Sequence, residues 1–431
     1  MKMKSRILTR MAATWLVVVS MSPWLLSQSQ AQPQNHIRYR VYTLANLGGT
    51  FGSGNGINDL GWVTGASGTA NDVSQEAVLW LYGLTLPLGT LGGPNSSVPF
   101  PITDDRGVIA GMSDLSKTDP NGENFCAFSS GFECAAFWWE NGTMTGLPTT
   151  LGGNNSRAAG ADDFNHVVGW AETSMVDSTC IPPAVLQYVP VVWNIKTGNL
   201  LQLPTLSGDP DGAAVAINEH DQVVGISGPC ADDDGLGARH AVLWQNGTVT
   251  NLGNFGGQYF NTAAAINNQG VVAGWSDVAN DTGLCTPNCY GFVWTQQKGL
   301  TKIFPLSGDA NTLAYGINEA NQVVGQSIDA AGNSRAFIWQ NGKTVDLNSL
   351  TLPGSPYLFF AGDINDRGEI TGEIFDQSTG QLGAAFLAVP VSGDNSDEPG
   401  NSQKVIFPES VRQQIREHLG SRGWAPSAGT Q

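Results

Sequence analysis

The chain has 431 residues, and its 37 acidic against 20 basic side chains leave a formal charge of −17. So acidic a protein is kept soluble by its charge and excludes nucleic acid and anionic lipid as natural partners. Charged residues make up only 13% of the chain while Gly fills 54 positions, a composition of short strands and tight turns rather than helices or a disordered acidic tail.

In chain order, Lys2, Lys4, Arg6 and Arg10 precede an apolar run over residues 12–26, followed by Ser29-Gln30-Ala31. This pattern predicts a secretory signal peptide over residues 1–31, cut after Ala31. The run is short for a membrane span and is interrupted by Pro23, so no stable membrane insertion is expected. The mature chain is expected to be secreted, extracellular or periplasmic. Six cysteines then fit disulfides: Cys126 with Cys134, Cys180 with Cys230 and Cys285 with Cys289. A zinc site would need matching second halves to C-x7-C and C-x3-C, and these are missing.

The stretch Ile266-Asn267-Asn268-Gln269-Gly270-Val271-Val272-Ala273-Gly274 reads as a strand end, a polar turn and a second strand closing on Gly. Related versions stand at 57–65, 103–111, 161–169, 217–225, 317–325 and 364–372. The seven closing glycines (65, 111, 169, 225, 274, 325 and 372) recur about every 50 residues, the period of a propeller blade. Each unit continues with an apolar strand that ends in Trp, as in Ala241-Val242-Leu243-Trp244; Ala388 replaces the Trp in the last unit. An Asn-Gly hairpin often follows, at Asn141-Gly142, Asn246-Gly247 and Asn341-Gly342, where both turn positions need positive φ. A fourth strand then runs into a small-residue corner such as Leu151-Gly152-Gly153.

Four strands repeated seven times predict an all-β fold, a seven-bladed β-propeller of four-stranded antiparallel blades over residues 38–390. Small residues such as Ala213-Ala214-Val215-Ala216 suit the innermost strands, and the Trp-bearing strands belong further out. Residues 40–44 match a fourth strand with no partners before it, and the last unit lacks one. The N-terminal strand is therefore expected to close the ring with Tyr42 beside Phe386, leaving no open edge. Residues 391–403 read as a linker, and 404–431 as a tail with a short amphipathic helix on Val411, Ile415 and Leu419, docked on the propeller or on a partner.

These residues resemble the HAF-repeat family, an extracellular bacterial repeat with Ile-Asn-x-x-Gly-x-Val-Val-Gly, Ala-Phe-Leu-Trp and Leu-Gly-x-Leu-Gly-Gly motifs, followed here over residues 43–390. The family's His survives only at His240. The resemblance implies a propeller and no particular activity.

Long loops at 113–134, 171–189, 227–239 and 276–290 fall on one face and hold all six cysteines, so binding is expected there. No resident cofactor is called for. Asp232 and Asp234 beside Gly235 offer a calcium candidate, against a plain solvated acidic loop. His240, Arg239 and Tyr290 form a catalytic candidate group for a polysaccharide lyase or hydrolase at the channel mouth, against a packed structural His. Arg157, Tyr259 and Phe260 follow corners and are candidates for gripping a ligand. Asp59, Asp104, Asp163 and Asp366 read as caps of their own turns rather than catalytic acids. The leading expectation is a monomeric extracellular binding or scaffold module for an unknown glycan or protein ligand; whether it is also an enzyme stays open.

Overall fold

The computed structural model describes residues 37–101, 105–149, 151–230, 239–280, 285, 287–392 and 404–417. The expected signal segment, Asp104, Asp232 and Asp234, the expected linker from 393 and the tail beyond 417 lie outside the described residues. Seven four-stranded antiparallel sheets form a seven-bladed β-propeller. In six of them four consecutive strands lie side by side, as in blade 4: Asp211–Ile217, Val223–Gly228, His240–Gln245 and Thr248–Asn251. No helix among the described residues is long and apolar enough to cross a membrane.

The seventh blade is built from both ends of the repeat. Ile37–Thr43 lies antiparallel to Gln381–Ser392, which pairs in turn with Ile370–Asp376 and then Tyr357–Ile364. The clasp is as expected, but its register differs by one: Tyr42 faces Leu387, and Thr43 faces Phe386. Burial explains the shift. Tyr39 and Val41 point inward, Tyr39 being only 2% exposed, and the period of two leaves Tyr42 48% exposed. Further bonds pin the strand, from Leu352 N–H to Tyr39 O at 2.9 Å and from Arg38 Nη1 to Ser349 O at 2.9 Å.

The recurrent closing glycine has a steric cause. Among the described residues, six blades carry an irregularity in register on the innermost strand near the closing glycine, between Ala214 and Ala216 or Ala314 and Gly316 for example. The bulged strand presses a carbonyl toward the glycine. A Cβ on Gly225 would stand 2.0 Å from Ala213 O, and one on Gly325 1.9 Å from Leu313 O. Only glycine fits there.

The Trp series joins blades. Trp80, Trp193 and Trp244 are buried, and each indole N–H reaches a carbonyl in the connection leading into its blade: Ala45 O (2.8 Å), Pro148 O (3.1 Å) and Pro204 O (2.6 Å). Each ring so removes a large apolar area from water, worth roughly 2–3 kcal/mol, without orphaning its donor.

The tail docks on its own propeller. Phe407, 2% exposed, packs against Tyr357, Phe359 and Phe375, and its N–H reaches Asn333 Oδ1 at 2.7 Å. Lys404 Nζ lies 2.7 Å from both Asp309 Oδ1 and Asp329 Oδ2. Burial works against the Asp329 carboxylate, but bonds from Asn333 and Lys404 outweigh it and pull its pKa down to about 2. The helix Glu409–Glu417 follows, with Val411 buried on blades 6 and 7.

Candidate functional site: an acidic ring at the short-turn end of the channel

Among the described residues, the repeat turns begin with an Asx residue whose carbonyl or carboxylate oxygen caps its own loop. Asn218 Oδ1 accepts from the N–H groups of His220 and Gln222, Asn267 Oδ1 from Gln269 and Val271, and Asn365 Oδ1 from Arg367 and Glu369. The local cap is thus supplied by this first residue. The one after it, expected to cap its own turn at Asp59, Asp163 and Asp366, does something else.

That second residue reaches between blades. Asp59 N–H donates to Asp105 Oδ1, Asp105 to Asp163, Asp163 to Glu219, Glu219 to Asn268, Asn268 to Glu319, Glu319 to Asp366, and Asp366 back to Asp59, all between 2.5 and 3.1 Å. Seven backbone donors and seven side-chain acceptors close a circle. Beside it a second set of bonds runs between side-chain amides and backbone carbonyls: Asn218 to Asn267 O, Asn267 to Asn318 O, Asn318 to Asn365 O and Asn365 to Asn58 O.

The circle surrounds a cavity of about 260 Å³, floored by Ile57, Ile266, Ile317 and Ile364 and rimmed by the ring side chains. Six of the seven rim positions are carboxylates, with Asn268 the exception. Burial raises the pKa of Asp59 and Asp105, and neighbouring charge adds to it: Asp366 acts on Asp59, while Asp59, Asp163 and Asp366 act on Asp105. Each carboxylate is held by a backbone N–H, so the ring cannot relax by splaying apart.

The long-loop face is put to a different use. The expected pairings Cys126–Cys134, Cys180–Cys230 and Cys285–Cys289 are all formed, the second joining blades 3 and 4. Glu123, from the blade 2 loop, accepts from Val185 and Leu186 N–H in the blade 3 loop, and Asn155 bridges Asp119 and Glu172. Burial, then the nearby charge of Glu123, pushes Glu172 up to about 8. Together with the tail on blades 6 and 7, these contacts spend much of the described long-loop face on the protein itself.

Of the three catalytic candidates on that side, two meet at one aspartate and the third has a different partner. His240 Nδ1 lies 2.8 Å from Asp209 Oδ2, and Arg239 lies 3.7 Å from Asp209 Oδ1. Tyr290, one blade on, instead faces the Lys302 ammonium at 4.1 Å. Arg335 occupies the His240 position in blade 6 and pairs the same way with Asp309, at 2.8 Å; Ser227 and Ser327 bond those aspartates alike. His240 and Arg335 thus each hold the corner aspartate of their own blade. Arg157 is buried with its guanidinium 4.8 Å over the Trp170 ring, and Phe260 is buried against Trp275, so both are closed to a ligand rather than at a channel mouth. Tyr259 remains exposed.

The ring escaped sequence reading because each carboxylate looks like an ordinary turn residue; only the recurrence of an acid immediately after the capping Asx could have marked it.

The fold defines the class, a seven-bladed β-propeller. No protein-family model and no curated protein sequence matches this chain. Among solved structures it is similar to the Pyrococcus horikoshii acylaminoacyl peptidase, at 11% identity and a TM-score of 0.44, over 84% of this chain and 52% of that one. It is also similar to TolB from Acinetobacter baumannii, at 13% identity and a TM-score of 0.39, over 62% and 57%. A chain of a mitotic checkpoint complex matches at 11% identity and a TM-score of 0.42, over 88% and 99%. The chain spans about half the length of the peptidase it matches.

Proposed function

We propose that this protein is an exported, HAF-repeat-like binding or scaffold module, and that its ligand site is the axial cavity of the short-turn face rather than the long-loop face. The carrying observation is the ring of six carboxylates, held by backbone bonds around a cavity of about 260 Å³. Carboxylates fixed at close quarters are stabilised when a positive group enters. The ligand is accordingly a cationic tip, such as the ammonium of a lysine side chain or an amino sugar on an extracellular protein or glycan. The cavity admits such a tip and leaves the rest of the partner outside.

Asn268 shows that an amide accepts the ring bond as a carboxylate does, so Asp59→Asn, Asp105→Asn and Asp366→Asn together should leave the ring folded. Calorimetric titration with tetralysine and with a glucosamine oligomer is expected to show salt-sensitive binding that weakens at least tenfold in the triple variant. Equal binding by wild type and variant, or none by either, would refute the site. The polysaccharide lyase or hydrolase reading has lost its geometric support, since His240 and Arg239 share Asp209 while Tyr290 is engaged by Lys302.

A further inference from the structure

A cluster of departures from the repeat lies on the short-turn face between blades 3 and 4. Between blades 5 and 6, Asn267 Nδ2 donates to Asn321 Oδ1 at 3.0 Å. The corresponding positions in blades 3 and 4 are Asp162 and Asp221, so two carboxylates stand where one amide should meet another. Between them lies His166, at the position held by Gln222 and Gln322 in blades 4 and 6. Its Nδ1 is 2.9 Å from Asp162 Oδ2 and 3.4 Å from Asp221 Oδ1, and all three atoms lie within 4.8 Å of one another. The three departures from the repeat converge on one point.

Asp162 is fully buried and oriented by its other oxygen, which accepts from the N–H groups of Phe164 and His166. Asp221 is exposed, held at φ +56° where blades 1, 2, 5 and 7 have glycine. The set therefore has a rigid inner ligand, a half-buried imidazole and an outer carboxylate open to solvent. Metal bonds of about 2.0–2.2 Å place ligand atoms roughly 3.4 Å apart, close to the spacing found here. One imidazole with two carboxylates suits a divalent first-row metal with an open position, and Asp163 and Glu219 of the ring lie alongside to draw a cation in. The other three-residue set of this kind among the described residues, Asp277 with Cys285 and Cys289, has its sulfurs bonded to each other.

We infer that Asp162, His166 and Asp221 form an inter-blade site for a divalent transition metal, with zinc the best match. Binding exchanges the Nδ1 proton for the metal and bridges blades 3 and 4 as the amide pair bridges blades 5 and 6. The site does not rest on the axial cavity holding any ligand.

The test is zinc titration of the chelator-stripped full mature protein, by calorimetry and by competition with a chromogenic chelator. Wild type should take up one zinc per chain. His166→Gln and Asp221→Asn each install the residue of another blade, so both should fold, and each should bind zinc at least tenfold more weakly. The axial triple variant should keep its zinc, which separates failure of this site from failure of the cavity. No stoichiometric uptake by wild type, undiminished affinity in His166→Gln, or loss confined to His166→Gln with Asp221→Asn unaffected would each overturn the three-ligand site.

Discussion

The backbone N–H of Asp366 donates to Oδ1 of Asp59 at 2.8 Å across 307 residues of chain. With the pairing of Ile37–Thr43 to the last blade, this bond makes the first and last repeats neighbours like any other two. The ring is thereby closed twice, at its outer edge by a strand and at its axis by a carboxylate.

The outer closure should depend on inward-facing residues only. Tyr39→Ala is expected to cost about 3–5 kcal/mol, the range for emptying a buried aromatic site. Tyr42→Ala should change stability by no more than about 0.5 kcal/mol. Urea midpoints of the two variants test the register, and a larger loss at Tyr42 would contradict it.

The closing glycine can be probed against a turn glycine. Gly325→Ala drives a methyl into Leu313 O and should cost about 3 kcal/mol, with visible loss of near-UV signal. At Gly342 the φ is +83° but nothing lies within 4 Å, so Gly342→Ala should cost only about 1 kcal/mol of backbone strain. Equal costs would mean that close approach is not what selects the glycine.

Of the disulfides, Cys180–Cys230 closes the longest stretch, 50 residues against 8 for Cys126–Cys134. Chain-entropy reasoning assigns it about 4 kcal/mol against about 2.5 for the shorter loop. Paired Cys→Ser variants in guanidinium should lose stability in that order.

Buried acids give the protein a pH dependence of unusual sign. Glu373 is fully buried with neither oxygen hydrogen-bonded among the described residues, and burial raises its pKa well above the ordinary carboxyl value. Burial also pushes Glu172 and Asp211 up to about 8. Above the usual carboxyl pKa of about 4 the unfolded chain releases these protons while the folded chain keeps them, so stability falls as pH rises from about 5 toward 8. Gln326 holds the Glu373 position in blade 6, so Glu373→Gln should fold and lessen that decline. Denaturation midpoints at pH 5, 6.5 and 8 read the slope; an unchanged slope would place the proton elsewhere.

Much of this architecture was legible without coordinates. The Asx turns and closing glycines are local rules repeated seven times, the Trp strands recur in six units and the Asn-Gly hairpins in three, and the unmatched strand around Val41 announced its own partner. The disulfide pairings followed from loop positions within the repeat. Apart from the Cys180–Cys230 bridge, what belonged to tertiary structure was the relation between residues one blade apart. Asp59 and Asp105 are ordinary turn residues until a closed ring sets them around one cavity. Asp162, His166 and Asp221 become a cluster only when blades 3 and 4 pack, and Arg157 and Phe260 turn out buried for the same reason. Short-range backbone preference sets strands and turns within a repeat, whereas charge and cavity depend on distances across about 50 residues of chain, which packing alone decides.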